Sequence, residues 1–563
     1  MELNACQRSG GTLLVTDDMC SLLHDDFLAR LRVEANGELI AHGAGRHEER
    51  GFFPEHCGHH VLEAIDGGIF AVDVVSYLCS GHGCSHGRGG FGDGVAAQVD
   101  HGHVGEHDMR SLVRRILANF LLAWERPSRQ DAHPMAWLRD VLPSVTDAEP
   151  DEAVPVGWAF LYFFCLLCGY YILRPVRDEM AIQGGVQHLP WMMTATFVTL
   201  LLVTPLFGWL SARVPRYRLL LTVYAFFGLN LILFFLAMTS HLSPQWAART
   251  FFVWLSVFNL FVVSVFWSFM ADLFTPTQGV RLFGVIAAGG SIGAMVGPLL
   301  TTGLTYVVPV PALLLVSVGF LAACGFCIYR LDRWALARSS GQISRQGEPI
   351  GGSIWAGVRL ALSSPYLLGI CLYLFFLTTT ATFLYLEQMR LVGEQIPSPQ
   401  GRTRLFALID LVVNVLTFLV QMTVTSRMIS RFGLVSALVV LPVASAVGFS
   451  LIAVMPFLVT FVLFTIVRRV GEYAIAKPAR EVLFTVVSRE EKYKAKNFID
   501  TAVSRGGDAT TGWMVSGVKA WGVTAGQMAW VLVPLALFWG WVGWRVAREE
   551  ERRRLSEISG GSA

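Results

Sequence analysis

An all-α polytopic membrane protein, with twelve transmembrane helices arranged as two pseudo-symmetric six-helix bundles, is the fold this sequence predicts. Three observations predict it. The chain of 563 residues is 53% hydrophobic and only 15% charged, with a mean hydropathy of +0.51, outside the range of ordinary soluble domains. Its apolar residues gather into runs of about twenty, long enough to cross roughly 30 Å of hydrocarbon as helix. Basic positions also recur at one internal offset, 213 residues.

Taken in order, the apolar runs fall near 156–174, 190–212, 217–238, 248–271, 282–306, 310–331, 366–388, 405–425, 434–453, 456–478, 497–519 and 524–546. A polar stretch at 332–364, rich in Ser, Gly and Arg, divides them six and six. The expected organisation is a segment at 1–108, an amphipathic cytoplasmic segment at 109–154, a first bundle at 155–331, a central loop at 332–364, a second bundle at 365–547 and a tail at 548–563. Shifting by 213 superposes Arg218 on Arg431, Arg177 on Arg390 and Arg281 on Lys494. Such homologous halves enclose a site between bundles that opens alternately to either side.

Orientation follows from the short loops. With the amino terminus inside, inner segments hold Arg213, Arg216, Arg218, Arg333, Arg338, Arg345, Arg427, Arg431, Arg480, Arg489, Lys492, Lys494 and the basic tail, while outer segments hold chiefly Arg249, Arg390, Arg402, Arg404 and Lys519. Both termini are therefore expected in the cytoplasm and the protein in a bacterial inner membrane. The net charge of +2 is spread among loops, so nothing points to nucleic acid. The lipid bilayer and a small anion are the expected partners, and the chain is expected to be a monomer.

Residues 1–108 differ in kind. Twelve of the fourteen histidines precede residue 134, and no tryptophan occurs before residue 109. The group His56, Cys57, His59, His60, Cys79, His82, Cys84 and His86 has zinc-ligand chemistry, but its spacings match no standard finger. The composition resembles translated non-coding sequence more than a folded module. The expected start is nearer Met109, where "MRSLVRRILANFLLAW" begins an amphipathic helix suited to the inner membrane surface. Cys165, Cys168, Cys324, Cys327 and Cys371 sit inside apolar runs and read as small apolar packing residues. No cofactor, metal or catalytic residue is expected.

Charge inside the runs carries the chemistry, because a charge in a membrane span normally faces a partner or a watery cavity. "GYYILRPVRDEM" ends the first run in Arg174, Arg177, Asp178 and Glu179, with Pro175 expected to kink or break the helix there. Two guanidiniums three residues apart suit phosphate or carboxylate recognition; the alternative is an interfacial anchor pairing them with Asp178 and Glu179. In "VRRVGEYAIAKPARE", Arg468 or Arg469 can pair with Glu472 on one helical face, leaving one arginine in excess near Lys477. "YLEQMR" places Glu387 and Arg390 in the repeat position of the first motif. Asn259, Asp272, Asp410 and Asn414 are further polar positions, each alone more typical of a helix contact. "IAAGGSIGAMVGP" spaces Gly289, Gly293 and Gly297 for close helix packing, and only five lysines occur, four of them between 477 and 496.

These motifs resemble those of the ATP/ADP translocases of plastids and intracellular bacteria, within the wider major-facilitator class. "GYYILRPVRDEM" is similar to their N-Y-x-I-L-R-D-x-K-D element, and "SREEKYKAKNFIDTAVSRGGDATTGW" to their K-x-K-x-A-I-D-x-x-x-x-R-x-G-K-S-G element. The likeness spans residues 150–547 and looks closest to free-living bacterial relatives. By resemblance Arg177 falls where the family has a lysine, Asp178 on its aspartate, Glu387 on a seventh-span glutamate, and Lys494, Lys496, Asp500 and Arg505 on the second motif. The departures are Pro175 for an acidic residue, Asp508 for a lysine, and the absence of a fourth-span glutamate near Leu255 or Ser256. The resemblance implies secondary transport of an organic anion, ATP/ADP-type exchange or a related phosphorylated metabolite, by alternating access. The alternative is proton-coupled movement of a non-nucleotide solute, with Asp508, Asp500 or Glu387 titrating. A membrane enzyme or sensor would need a catalytic cluster or signalling domain that the sequence does not offer.

Overall fold

Every apolar run is helical in the computed structural model, which describes residues 151–211, 216–240, 244–338, 364–487 and 498–560 together with 149 and 496. The helices are α1 (Ala153–Gln183), α2 (Leu189–Ser211), α3 (Arg216–Thr239), α4 (Pro244–Leu273), α5 (Pro276–Leu304), α6 (Ala312–Arg338), α7 (Pro365–Gln395), α8 (Pro399–Val420), α9 (Ser426–Val454), α10 (Leu458–Gly471), α11 (Lys477–Val482), α12 (Ser504–Ala520) and α13 (Ala525–Gly560). The leader with its histidine and cysteine group, the segment near Met109, Lys494 and residues 339–363 of the central loop lie outside the described residues; the first seven residues expected in that loop continue α6 to Arg338.

Local sequence sets the ends. Thr275 caps α5 in a reciprocal box with Gln278, with Pro276 in the first turn; Ser364 and Ser398 cap α7 and α8, each followed by proline. These residues satisfy the first unpaired amides, and proline loses nothing there. Nine stretches among the described residues are long and apolar enough to cross a membrane. One of them, Pro399–Val454, contains both α8 and α9; as one rod it would be about 84 Å long, nearly three bilayer cores. It leaves helical geometry at Gly433, whose φ of 74° favours glycine. The rod α10–α11 and helix α12 escape the apolar criterion because charges, Arg468, Arg469, Glu472 and Lys477 in one and Arg505 and Asp508 in the other, lie inside them.

The repeat is visible in the elements. α1 and α7 begin at residues 153 and 365, α4 and α10 at 244 and 458, α6 and α13 at 312 and 525, each pair within one residue of the 213 offset. Packing repeats as well: α1 lies against α4, α5 and α6 as α7 lies against α10, α12 and α13, and α3 meets α6 as α9 meets α13. Between the halves, α5 packs on α8 and α2 on α12.

The glycine stripe lets α5 approach α1 to backbone contact. A Cβ at Gly289 would lie 2.4 Å from the Phe160 carbonyl oxygen, at Gly293 2.4 Å from that of Phe164, and at Gly297 2.7 Å from that of Cys168. Cys168, Cys324 and Cys327 are likewise buried in this first-half core, joined by the contact of the Tyr162 and Tyr224 hydroxyls.

α1 does not break at Pro175, contrary to the expectation from the sequence. It runs on for eight residues to Gln183. Proline removes one backbone donor, but the contacts of α1 with α4, α5, α7 and α8 hold the helix through that position. The charged motif therefore lies within the bundle, not at its rim.

Successive crossings of the bundle run in opposite directions, which defines two ends. At the proximal end, where α1 starts, Glu152 accepts from Arg281 at 3.0 Å and Tyr366 donates to the Leu483 carbonyl at 2.7 Å. At the distal end, where α1 finishes, Arg249 donates to the Gly184 carbonyl at 2.8 Å. An apolar cluster here draws on both halves, Met192 and Phe252 with Phe383, Phe449 and Val515. The cluster around Tyr366, Leu438, Leu483 and Trp539 comes from the second half alone.

Candidate functional site

Two arginines and one carboxylate meet at mid-depth, where α1 of the first half faces α8 and α10 of the second, and the preceding residue of α10, Arg468, carries a pair of its own. Arg174 lies nine residues before the end of α1 and Asp410 eleven after the start of α8, about 14 and 16 Å from the distal helix ends. Asp410 is 1% exposed. Its Oδ1 accepts from Arg469 at 2.6 Å, and its Oδ2 stands 3.7 Å from the Arg174 Nε. Arg468 donates to Glu472 at 2.7 Å. The excess arginine expected from the sequence is thus shared out: Arg468 takes Glu472, and Arg469 turns to Asp410.

The cluster is under-satisfied. Arg174 Nη1, Arg468 Nη1, Arg469 Nε, the Tyr171 hydroxyl and Asn414 Oδ1 are buried without a hydrogen-bond partner in the protein. Each such group costs about 1–3 kcal/mol relative to a paired one, and buried charges short of partners cost more. Tyr171 stacks beneath Arg174 at 5.6 Å and Tyr473 beneath Arg469 at 5.8 Å, and Asn414 is oriented by donating to the Ala294 carbonyl at 2.7 Å. Arg174 and Arg469 share the single charge of Asp410, which leaves a formal surplus of one positive charge with unpaired guanidinium donors, the chemistry that anion recognition uses.

Above the cluster, toward the distal end, ion pairs join the halves. Glu179, 0% exposed, accepts twice from Arg402 at 2.6 and 2.7 Å and once from Gln183 at 2.9 Å. Arg177 pairs with Asp178 at 3.1 Å, and Asp178 accepts from Tyr385 at 3.0 Å. Arg404 lies over the Tyr306 ring at 3.4 Å, and Trp513 donates to Thr194 at 3.0 Å. Glu387 is held by Arg390 at 2.9 Å and Lys519 at 2.5 Å.

The residues singled out from the sequence therefore separate. Arg174 and Arg469 come together at mid-depth through Asp410, and Arg468 and Glu472 pair along α10. Arg177, Asp178, Glu179, Glu387 and Arg390 gather at the distal end. Lys496 pairs with Glu481 at 2.6 Å and Asp500 with Arg480 at 3.4 Å, both within the second half. Arg505 and Asp508 approach to 3.5 Å, and Thr382 of α7 donates to Asp508 at 2.7 Å. Lys477 follows the π-helical turn at Glu472–Ala476. The anchor alternative holds for Arg177 with Asp178 only; Arg174 and Glu179 reach across to the second half. The sequence weighed Asp410 and Asn414 only as isolated polar positions and passed over Tyr171, Tyr385 and Arg402. A carboxylate inside an apolar run, with Asn414 one helical turn on, was the available signal.

Two repeated helical halves with buried charge where they meet define a multi-pass membrane protein of transporter type. Residues 159–471 match the Major Facilitator Superfamily profile, and the chain belongs to that superfamily. Within it, the chain is similar to ADP,ATP carrier protein 1 of Chlamydia muridarum, 20% identical over 446 residues, covering 66% of this chain and 83% of that protein. ADP,ATP carrier protein 1 of Chlamydia trachomatis serovar D is 20% identical over 450 residues with the same shares. Among solved structures, a bacterial homologue of the iron transporter ferroportin in an inward-facing state shares the fold, with a TM-score of 0.51 and 13% identity over 70% of this chain and 98% of that one.

Proposed function

We propose that the protein is a secondary transporter of the bacterial inner membrane that exchanges nucleotides of the ATP/ADP type, or a related phosphorylated metabolite, by alternating access. The observation that carries this reading is the mid-depth cluster, in which Arg174 and Arg469 share the Asp410 carboxylate while Arg468 is paired with Glu472 on the same helix as Arg469. Its surplus charge and unpaired donors call for an anion rich in acceptor oxygens, and the similarity to ADP,ATP carriers supports a nucleotide. With both termini in the cytoplasm, as the loop charges favour, the distal end is external. The cross-half contacts Glu179–Arg402, Asp178–Tyr385 and Trp513–Thr194 then close the outside, and the cluster is reached from within. Substrate neutralises the surplus and lowers the cost of enclosing the arginines. Both loaded forms can reorient, and the empty carrier does so less readily.

The test is uptake of labelled ATP and ADP into proteoliposomes preloaded with nucleotide, with Arg174→Ala and Arg469→Ala beside the native chain. Uptake that needs internal nucleotide and falls at least about tenfold in either variant, a loss of roughly 1.4 kcal/mol, is the expected result. Absence of nucleotide uptake by folded protein would reject the nucleotide assignment. The second reading, proton-coupled transport of another solute, rests on Asp508, which Thr382 and Arg505 hold between α7 and α12. It requires uptake driven by an imposed pH gradient with no internal substrate, abolished in Asp508→Asn.

A further inference from the structure

We propose that Asp410 is a resident counter-anion, occupying in the empty carrier part of the coordination that substrate takes and thereby restricting the site to phosphate-type dianions. The inference rests on the anion-transport reading but goes beyond it, because it names the group that decides which anions succeed. Asp410 divides its two oxygens between the halves: Oδ1 to Arg469 of α10 in its own half, Oδ2 to Arg174 of α1 in the other. The two contacts are unequal. At 2.6 Å the first is a full charge-assisted hydrogen bond; at 3.7 Å the second is attraction without one, and Oδ2 has no hydrogen-bond partner. Arg174 is thus neutralised but not coordinated, with its Nη1 unpaired as well.

The consequence for selectivity is a competition. A monoanion entering the cluster offers Arg174 and Arg469 the single charge that Asp410 already supplies. It also loses its translational freedom, which the tethered carboxylate does not. Displacing Asp410 with a monoanion therefore gains little. A phosphate monoester brings two charges and three terminal oxygens, enough to serve Arg174 Nη1 and Arg469 Nε and to accept from the Tyr171 hydroxyl, while leaving Asp410 a share of Arg469. Other charge facing the cluster is Arg177, one turn further along α1, which Asp178 already pairs at 3.1 Å; Arg468 and Glu472 pair with each other on α10. Asp410 is accordingly a specificity-determining residue that excludes abundant monocarboxylates and phosphodiesters from a site built of arginine.

The experiment compares phosphate monoesters with diesters that share an organic part: AMP with its cyclic monoanionic diester, and methyl phosphate with dimethyl phosphate. Binding is read by ligand-dependent thermal stabilisation of the purified full chain at about pH 7.5, where monoesters are mainly dianions because their second ionisation lies near 6. The native protein should prefer monoester to diester by about tenfold or more. In Asp410→Asn that preference should fall to within about threefold, chiefly through tighter diester binding, while Asp410→Glu keeps it. Should Asp410→Asn not fold, Arg174→Gln/Asp410→Asn, which removes one charge of each sign, should also lose the preference. An unchanged ratio in the variant that folds overturns the proposal and leaves the nucleotide reading standing. Discrimination between the methyl phosphates without AMP binding would support the role of Asp410 and leave the nucleotide assignment to the ATP and ADP uptake measurement. If no probe stabilises the native chain, the arginine cluster is not an anion site and the proposal falls.

Discussion

Arg402 and Glu179 illustrate what a single residue does in this molecule. Glu179 is fully buried, and its charge is tolerated because a bidentate guanidinium and the Gln183 amide occupy its oxygens. Arg402→Ala strands that carboxylate, which should cost about 3–5 kcal/mol. Glu179→Gln/Arg402→Ala removes the stranded charge and should recover most of the loss. Thermal unfolding of the single and double variants in detergent measures the coupling; equal losses in both would mean that the pair does not hold the halves together. The local part of this network was legible in the sequence. Arg390 lies three residues from Glu387 and Arg468 four from Glu472, and helical geometry alone brings such pairs together. The partners of Glu179 and Arg174 were not legible, since Arg402 and Asp410 lie more than two hundred residues away and belong to the other half. A single sequence carries no register between helices, and for that reason the contact of the excess arginine with Asp410 was not legible either.

At the level of the element, α5 and α1 form the tightest joint. Gly293→Ala drives a methyl group to 2.4 Å from the Phe164 carbonyl, with backbone on both sides, so α5 must shift. The expected result is a loss of about 1–3 kcal/mol by overpacking and a marked fall in folded yield. Gly303, on the same helix with nothing within 4 Å, is the control. Gly303→Ala should be neutral or stabilising by up to about 1 kcal/mol. Size-exclusion recovery after a heating series distinguishes the two; similar recoveries would show that the stripe does not govern assembly. The four-residue glycine spacing announced this joint, because only small residues admit such an approach. Helix ends were less legible. Hydropathy stopped α1 at its first charges, whereas the backbone continues through Pro175 to Gln183, since buried ion pairs make those charges acceptable inside the bundle. Nothing in the sequence marked the π-helical stretches at Gln421–Thr425, Glu472–Ala476 and Ile499–Val503.

Across the whole molecule, the 213-residue repeat read from three basic positions becomes a repeat of helix starts and packing partners. That much of the architecture was in the sequence because both halves retain the same loop charges. Closure of the distal end was not, since it depends on contacts between halves. The edge-to-face contact of Trp191 and Trp513, with centroids 4.8 Å apart, gives a handle on it. Cysteines at these two positions in a variant with the native cysteines replaced, joined by a short bismaleimide, should arrest transport. A cross-linked protein that still exchanges substrate would show that this end need not open.

We expect the paired π-helical turns to give the two halves unequal stiffness. Gln421 donates to the Tyr473 carbonyl at 3.1 Å and Thr425 to that of Ala474 at 2.8 Å, so side chains of one widened turn hold carbonyls of the other. Widened turns are weak points of a helix, and here two lie side by side, one on the helix that carries Asp410 and the other beginning at Glu472. The first half, fastened backbone to backbone along the glycines, behaves as a beam; the second behaves as an arm with an elbow. In hydrogen-exchange measurements we expect amides near 421–425 and 472–476 to exchange faster than those of α1 and α5 and to slow when substrate binds. Uniform protection across both halves would mean that the elbow does not bend. If it does, the carrier works as a jointed limb closing on a fixed post, and its cargo is gripped from one side.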